Sequence, residues 1–150
     1  MNTPWKYIHP KFKLNGLPYQ SDGLFEIANG LINRGAHYEI SIGNFIQEWL
    51  DNNDYVVVKT SGSTGVSKNL VLSKQKMISS AKATGTFFKL PENTTALLCL
   101  PSNYIAGKMM LVRAMVLGWN LHVVAPGKNA ISHDDTDYDF VAMVPYQVQY

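Results

Sequence analysis

The sequence predicts an α/β fold built on a largely parallel sheet with flanking helices. From residue 55 onward, short apolar runs typical of buried strands alternate with segments in which apolar residues recur at helical spacing. Such alternation favours parallel strands joined by right-handed helical crossovers. In sheets of this kind ligands bind beyond the carboxyl ends of the strands, so the loops at that edge are the first candidates for a functional site.

Four short apolar runs are predicted to be strands: residues 55–58, 95–100, 121–124 and 140–144. The first of these, a β-branched run, is expected to be a buried strand. Two helices are predicted between the strands. One covers about 74–88 with Ser73 as its N-cap, and the other covers 107–117.

The part of the chain before the first of these strands is less regular. Residues 1–23 hold three prolines and two glycines, and they are expected to form an irregular arm with at most a short strand. Apolar residues of 24–33 follow a helical period, and Gly35 is expected to end that helix. Ser41 is expected to cap a second helix, which the turn at 52–54 follows.

Composition and charge narrow the class of protein. The 150 residues are 46% hydrophobic and 16% charged, with a formal net charge of +2. This composition argues against disorder, and the lack of a basic run argues against nucleic-acid binding. The N-terminus lacks the pattern of a secretory signal, and no apolar run reaches the roughly 18 residues of a membrane helix. Cys99 is the one cysteine, which fits a reducing compartment, and we expect a cytoplasmic protein. We expect residues 1–150 to form a single domain with its core of strands and helices at 55–145.

One loop concentrates the residue types that bind phosphate. It reads Thr60-Ser61-Gly62-Ser63-Thr64-Gly65-Val66-Ser67-Lys68. Its two glycines permit positive φ and close approach of the backbone to a ligand, so that successive N–H groups can surround an anion. The hydroxyls add donors and Lys68 adds a positive charge. These features suit a polyphosphate.

Two familiar phosphate-binding loops are excluded by spacing. A P-loop requires G-x-x-x-x-G-K-[ST], whereas here the two glycines are three apart and Lys68 follows Gly65 by three residues. The G-x-G-x-x-G fingerprint is absent too. The loop leads into another extended segment, 69–72, so a hairpin cradle fits better than a helix N-terminus. On these residues alone an ordinary polar hairpin turn is the stronger alternative.

The same loop resembles that of the adenylate-forming superfamily, which contains acyl-CoA synthetases, luciferases and peptide-synthetase adenylation domains. The family's loop reads roughly T-S-G-[ST]-T-G-x-P-K, and eight of the nine positions agree here. Ser67 stands where the family usually has proline. It loosens the turn without removing a donor, and we expect Ser67→Pro to be tolerated.

Two later segments extend the resemblance over roughly residues 50–146. Val71-Leu72-Ser73 looks like the family's V-x-[LI]-[ST]-H, with Lys74 in place of histidine. The segment 100–107 resembles L-P-L-F-H-x-x-G, with Asn103 in place of the aromatic residue and Tyr104 in place of histidine. Tyrosine can stack and donate a hydrogen bond, but it does not take up a proton at neutral pH. Within the family, two features look most like the o-succinylbenzoate–CoA ligases. The phosphate loop begins as early as residue 60, and the run 104–114 resembles theirs.

The resemblance implies a two-step ligase reaction with ATP, Mg²⁺ and coenzyme A. A carboxylate attacks the α-phosphorus of ATP to give an acyl-adenylate and pyrophosphate, and the thiol of coenzyme A then displaces AMP. It implies catalytic roles for Lys68 and Thr64 and substrate contacts for Tyr104 and Gly107. It implies nucleotide contacts for Thr60, Ser61, Gly62, Ser63, Thr64, Gly65 and Lys68. The Mg²⁺ ligand is expected outside this chain.

The resemblance also implies that this chain is an N-terminal portion of such an enzyme, since the family's later motifs and its C-terminal lid domain are absent. Alone it is expected not to catalyse the full reaction. The implied acid is o-succinylbenzoate, in menaquinone biosynthesis. The alternative is a non-catalytic nucleotide-binding module, or half of a split enzyme, that associates with itself or a partner chain.

Other residues are given structural roles. Lys108 and Arg113 are expected on an exposed basic face, and the three tryptophans and Met109 and Met110 in the core. His133 stands beside two aspartates, but an exposed loop is the stronger interpretation than a metal site.

Overall fold

The computed structural model describes residues 3–60, 65–131 and 135–148. Its seven strands are β1 (Lys13–Leu14), β2 (Leu17–Pro18), β3 (Tyr55–Lys59), β4 (Asn69–Ser73), β5 (Thr95–Leu98), β6 (Asn120–Val123) and β7 (Phe140–Ala142). Its helices are a 3-10 turn (Pro4–Lys6), α1 (Ser21–Arg34), α2 (His37–Leu50), α3 (Lys74–Phe87), α4 (Ile105–Leu117) and α5 (Pro145–Val148).

The main sheet confirms the α/β prediction. Its five strands run in the order β2-β1-β6-β5-β7, with parallel pairing throughout except at the β1–β2 edge. In the register of the central strands, Leu97 lies opposite His122 on one side and Val141 on the other. The residues Ala96, Leu97 and Leu98 of β5 are almost fully buried, as expected for a strand covered on both faces.

The N-terminal arm is more ordered than the sequence predicted. β1 pairs with β6 and so takes an interior position in the sheet. The side chains of Trp5, Ile8 and Phe12 lie in the core with exposed fractions of 7%, 2% and 0%. The proline and glycine content suggested irregularity, but the buried apolar side chains of this segment and the pairing of β1 with β6 hold it against the core.

The first two helices are longer than the sequence indicated. α1 begins at Ser21 rather than at residue 24, and it ends at Gly35, as predicted. α2 begins at His37, four residues before the expected cap. The reason is local, since the Glu39 carboxylate accepts a hydrogen bond from the Ala36 N–H at 2.9 Å and caps the helix there. Ser41 lies in the second turn and donates to the carbonyl of His37 instead.

The two later helices agree with the sequence more closely. Ser73 caps α3, as predicted, by accepting from the N–H of Lys76 at 3.3 Å. α4 begins two residues earlier than predicted and is apolar around most of its circumference, because it lies between the sheet, α3 and α2. The predicted core positions of Met109, Met110 and the three tryptophans are confirmed, with Trp49 and Trp119 fully buried.

The strand β3 departs from the prediction. It does not join the main sheet but forms a separate antiparallel hairpin with β4, in which Lys59 lies opposite Asn69. Val56 and Val58 face the core, whereas Tyr55 and Val57 are each 41% exposed. The β-branched run suggested burial on both faces, but an all-apolar run of this length gives no signal of its exposed side.

None of the helices in the described part of the chain has the length and apolar character needed to cross a membrane.

Candidate functional site

The base of the 60–68 loop is closed by contacts between its first and last residues. The N–H of Thr60 donates to the Lys68 carbonyl at 2.9 Å, and the Thr60 hydroxyl donates to the same carbonyl at 3.2 Å. The N–H of Lys68 donates back to the Thr60 hydroxyl at 3.1 Å. The single hydroxyl proton of Thr60 is therefore engaged within the loop base, so in this conformation its side chain does not donate to a phosphate.

The predicted ligands Ser61, Gly62, Ser63 and Thr64 lie outside the described residues, and their roles stay predictions. Gly65 is described and has φ +80°, the conformation for which glycine is favoured. Among the described residues, no atom lies within 4 Å of the place that a Cβ would take here. The positive φ is therefore the described feature that favours glycine at this position.

Lys68 brings a positive charge to the end of the loop. It is exposed, and within the described ranges its ammonium group makes no ion pair. An exposed lysine without an ion pair in those ranges is available to an anionic ligand. This agrees with the predicted role but does not test it.

The second predicted loop lies directly beside the hairpin. Lys59 and Tyr104 form an isolated parallel bridge, which places the start of the 60–68 loop next to the start of α4. The sequence predicted that these two loops line one crevice, and this bridge brings them together. Tyr104 is 40% exposed.

Gly107 is buried, and its geometry explains why it is glycine. A Cβ there would lie 2.3 Å from the carbonyl oxygen of Pro101 and 2.8 Å from the Cα of Ser102. α4 can therefore approach the 101–104 loop closely only if this residue has no side chain. The structure assigns Gly107 a packing role, and its predicted contact with substrate remains a prediction.

A small cavity of about 240 Å³ lies between the hairpin, α3 and the first turns of α4. Its lining includes Leu72, Ser73, Ile105 and Met109. Since Ile105 follows Tyr104, this cavity is next to the crevice. A larger cavity of about 630 Å³ lies between the end of α3 and the end of α4, where Gly85 and Leu117 line it, and it contains no residue of the predicted site.

Lys74 is a buried charge that the sequence did not reveal. Its side chain is fully buried, and its Nζ lies 2.8 Å from Oδ1 of Asp51. The same ammonium lies 5.1 Å from the ring centroid of Trp5, whose indole N–H donates to the Asp51 carbonyl. Burial lowers the pKa of Lys74, although the hydrogen bond that its ammonium donates to Asp51 opposes that shift. The residue in place of the family's histidine thus anchors the start of α3 to the end of α2.

Gln147 is a second residue that sequence reasoning missed. Its side-chain amide donates to the carbonyls of Cys99 at 2.9 Å and Gly127 at 3.1 Å, and its oxygen accepts from the Val144 N–H. These backbone groups follow β5, β6 and β7, so one buried glutamine ties together the carboxyl ends of three parallel strands. No motif signals this role, because it depends on three segments far apart in sequence.

The expectation of an exposed basic face on α4 is wrong. Lys108 is only 7% exposed, and burial lowers its pKa, with the nearby Glu48 opposing that shift. Burial also lowers the pKa of Arg113, whose Nε has no hydrogen-bond partner. Both lysine and arginine look like surface residues in sequence, and only packing of α2 and α3 against α4 covers them.

No group of three metal-binding side chains occurs in the stretches that the structure describes. His133 and Asp134 lie outside those stretches. The expectation that the Mg²⁺ ligand lies outside this chain stays a prediction.

No protein-family model matches the chain, and no curated protein matches its sequence. Among solved structures, an acyl-CoA synthetase (AMP-forming)/AMP-acid ligase II-like protein from Dyadobacter fermentans matches with 39% identity and a TM-score of 0.73. The match covers 83% of this chain and 36% of that protein, so this chain spans about a third of its relative.

Two further structures match more weakly. The inhibitor-bound N-terminal domain of FACL13 from Mycobacterium tuberculosis has 21% identity and a TM-score of 0.45, covering 55% of this chain and 24% of that one. The o-succinylbenzoate CoA synthetase from Bacillus subtilis, in complex with its acyl-adenylate, has 18% identity and a TM-score of 0.47, covering 59% and 27%. No conclusion about this chain is drawn from these two structures, because both TM-scores are below 0.5. In fold, the chain matches part of the N-terminal domain of adenylate-forming enzymes, and in sequence it resembles an AMP-forming acid ligase.

Proposed function

We propose that this chain carries the ATP-phosphate grip of an AMP-forming acid–CoA ligase. The observation that supports this most directly is the closed base of the 60–68 loop, with Gly65 at positive φ and Lys68 unpaired beside it. The Dyadobacter relative, 39% identical to this chain, is described as AMP-forming.

In the proposed reaction a carboxylate attacks the α-phosphorus of ATP, and the bond to the pyrophosphate oxygen breaks. Coenzyme A thiol then attacks the acyl carbon, releasing AMP. The loop's task in the first step is to hold the phosphates and to offset the negative charge that develops on the leaving pyrophosphate. Backbone N–H groups of 61–65, the hydroxyls of Ser63 and Thr64, and Lys68 are the proposed donors.

Thr60 has a different part in this proposal. Because its hydroxyl proton is engaged with the Lys68 carbonyl, Thr60 sets the spacing of the loop's two ends rather than binding phosphate through its side chain. This matters for Lys68, whose backbone is fixed at the loop base by the same contacts. Only its side chain then has to be ordered when the ligand binds, which reduces the entropic cost of binding.

Tyr104 and Gly107 are proposed to border the acid. Tyr104 is partly exposed beside the phosphate loop, so the face of its ring can stack on a planar acid or on the nucleotide. Gly107 acts by letting α4 approach the 101–104 loop, which sets the position of Tyr104. The proposed acid is o-succinylbenzoate, in menaquinone biosynthesis in the cytoplasm, and this rests on two sequence features: the phosphate loop begins as early as residue 60, and the run 104–114 resembles that of o-succinylbenzoate–CoA ligases.

A second candidate function uses the same loop. The chain spans 36% of its Dyadobacter relative, so the activity of a whole ligase is a proposal for this chain. A module that binds nucleotide and acts only with a partner chain would keep the same loop. The two proposals differ in whether pyrophosphate is ever released.

The test is ATP-dependent pyrophosphate release with o-succinylbenzoate, measured for the 150-residue chain and for the gene product read to its natural stop codon. Release that needs the acid and is lost in Lys68→Ala, but kept in the exposed control Lys82→Ala, supports the ligase. Release with a different carboxylate, but not with o-succinylbenzoate, would exclude o-succinylbenzoate as the acid substrate. Absence of release with any acid, combined with ATP binding that Lys68→Ala weakens, would favour the binding module.

A further inference from the structure

The direction of the Cys99 carbonyl follows from the hydrogen bonds of β5. Successive carbonyls along a strand point to opposite neighbouring strands. The carbonyl of Leu98 accepts from the Val124 N–H on the β6 side at 3.1 Å. The carbonyl of Thr95 accepts from the Asp139 N–H on the β7 side at 2.7 Å. Cys99 alternates in the same way as Thr95, so its carbonyl points to the segment that follows β7.

Gln147 lies where the next hydrogen bond between β5 and β7 would form. In the register of these two strands, Leu98 lies opposite Ala142. The next ladder hydrogen bond would therefore join the N–H of Val144 to the carbonyl of Cys99. Instead, the amide nitrogen of Gln147 donates to that carbonyl at 2.9 Å, and its amide oxygen accepts from that N–H at 3.1 Å. A side-chain amide thus replaces one hydrogen bond of the ladder and separates the two strands at their carboxyl ends.

The Gln147 amide has no donor left for a ligand. Its nitrogen also donates to the carbonyl of Gly127, after β6, at 3.1 Å, and the residue is only 5% exposed. An amide nitrogen carries two hydrogens, and here both have carbonyl acceptors. Gln147 can therefore influence a ligand only through the segments that it holds.

The 101–104 loop begins two residues after the carbonyl that Gln147 holds, and its own contacts hold it weakly. Within the loop, the N–H of Tyr104 donates to the carbonyl of Pro101 at a long distance of 3.4 Å. The hydroxyl of Ser102 is buried and has no hydrogen-bond partner among the described residues, which destabilises the loop. The place of the loop therefore depends on its two ends, with Gln147 at the first and the close approach of α4 at the second.

We propose that Gln147 is a positioning residue of the nucleotide site, whose amide sets the place of the 101–104 loop and so of Tyr104 beside the phosphate loop. The consequence for ATP rests on the proposed function, in which the ring of Tyr104 stacks on the nucleotide. Tripolyphosphate lacks the nucleoside, so its binding depends on the 60–68 loop alone. Loss of the Gln147 amide should therefore weaken the binding of ATP and spare that of tripolyphosphate.

The first experiment needs no ligand and so tests the positioning role whether or not the chain binds ATP. Backbone amides of the 150-residue chain are followed by NMR in Gln147→Met, which has a side chain of similar length without the amide. We expect the amides of 102–104 to shift and to exchange their hydrogens about tenfold faster or more. The amides of Thr60 and Lys68 should keep their resonances. Unchanged resonances at 102–104 would overturn the positioning role.

Leu24→Ala is the control for a general loss of stability. Leu24 is fully buried on α1 and has no part in the carboxyl edge of the sheet. This variant loses core packing, but it should leave the resonances of 102–104 unchanged. If it shifts them as Gln147→Met does, the effect is one of stability and the positioning role is overturned.

The second experiment measures the affinities of ATP and tripolyphosphate by calorimetry, at a temperature at which each variant is folded. Gln147→Met should bind ATP about fivefold more weakly or worse, since the stacking contact is misplaced, and should bind tripolyphosphate like the unmodified chain. Leu24→Ala should bind both ligands normally. An equal loss of both ligands in Gln147→Met, or an unchanged affinity for ATP, would overturn the role in nucleotide binding. Absence of binding of either ligand to the unmodified chain would contradict the proposed function instead.

A second variant keeps both experiments decisive if Gln147→Met does not fold. Gln147→Asn retains the amide, but its side chain is one methylene shorter and cannot reach both strands. It should give the same shifts at 102–104 and the same difference between the two ligands, both smaller in size. A Gln147→Asn chain that matches the unmodified chain in its resonances would overturn the positioning role.

Discussion

The β3–β4 hairpin and the parallel strand β5 are both built from short apolar runs, but they bury their side chains differently. Ala96, Leu97 and Leu98 of β5 are buried on both faces of the main sheet. In the hairpin, β3 buries only Val56 and Val58, whereas no residue of β4 is buried and its Leu70 and Val71 are 49% and 66% exposed. The hairpin carries the proposed phosphate loop, whereas the sheet carries the core.

This difference shows how stability and function are divided in the molecule. A strand with helices on both faces is held by packing along its whole length, whereas a hairpin attached by one face can carry a ligand loop at its tip. Two connections attach the hairpin at its ends. The Lys59–Tyr104 bridge lies at the loop end, and the buried Lys74–Asp51 pair lies just beyond the open end. The predictions that follow compare these two regions.

The largest expected effect is a difference between two leucines in strands. Leu98→Ala, in β5, should lower the free energy of unfolding by about 2–5 kcal/mol because it leaves a cavity in the core. Leu70→Ala, in the half-exposed β4, should cost about 1 kcal/mol or less. Urea denaturation measures both. Equal losses at the two sites would contradict the division between a core sheet and a peripheral hairpin.

Two glycines provide a second comparison. Gly107→Ala should lower the free energy of unfolding by about 1–3 kcal/mol, because its Cβ meets the Pro101 backbone and the 101–104 loop has to move. Gly65→Ala meets no atom and should cost only about 1 kcal/mol, for its positive φ. Gly65→Asn is the control, since asparagine tolerates that conformation better. A larger loss of stability for Gly65→Ala than for Gly107→Ala would disprove this account of the two loops.

The anchor at the open end of the hairpin is tested by removing one charge at a time. Asp51→Asn should lower the free energy of unfolding by about 1–3 kcal/mol, because the buried Lys74 loses its counter-charge. The effect is limited because the Asp51 side chain is 37% exposed and its charge is partly screened by water. Lys74→Met removes the buried charge itself and should change stability by less than about 1 kcal/mol. If Lys74→Met is the more damaging variant, the pair is a source of net stability.

The smallest effect expected is a pH dependence from Lys74. Its pKa is lowered by burial from the usual value of 10.5, so between the lowered value and 10.5 the unfolded chain binds more protons than the folded one. The free energy of unfolding contributed by this residue therefore rises with pH across that interval. The difference in stability between the unmodified chain and Lys74→Met should shift in favour of the unmodified chain as pH increases there. A flat difference would mean that the pKa is not lowered.

The parts of the fold that follow from local patterns were predictable. The helix caps at Gly35 and Ser73 and the alternation of strands with helices all depend on residues close in sequence. The pairing of β3 with β4 follows from the predicted hairpin, but the separation of β3 from the main sheet was not predictable, because it depends on the packing of segments far apart in sequence. The same holds for β1, whose place beside β6 depends on residues about a hundred positions apart.

The candidate site was predictable where it rests on a continuous motif and unpredictable where it rests on burial. The hairpin setting of the 60–68 loop and its closeness to Tyr104 agree with the sequence prediction. The buried state of Lys74 and Lys108 and the three contacts of Gln147 could not be predicted, since lysine and glutamine are usually exposed. The hydrogen bond that the Thr60 hydroxyl donates at the base of the loop could not be predicted either, because it depends on side-chain geometry that the sequence does not give.

The measurement that tests the central claim most directly is ATP binding to the 150-residue chain by isothermal titration calorimetry. Lys68→Ala and the exposed control Lys82→Ala are measured beside the unmodified chain, with tripolyphosphate as a second ligand that lacks the nucleoside. A phosphate grip at 60–68 predicts saturable binding of both ligands, weakened at least about tenfold in Lys68→Ala and unchanged in Lys82→Ala. Absence of saturable binding of either ligand, or an affinity in Lys68→Ala equal to that of the unmodified chain, would contradict it.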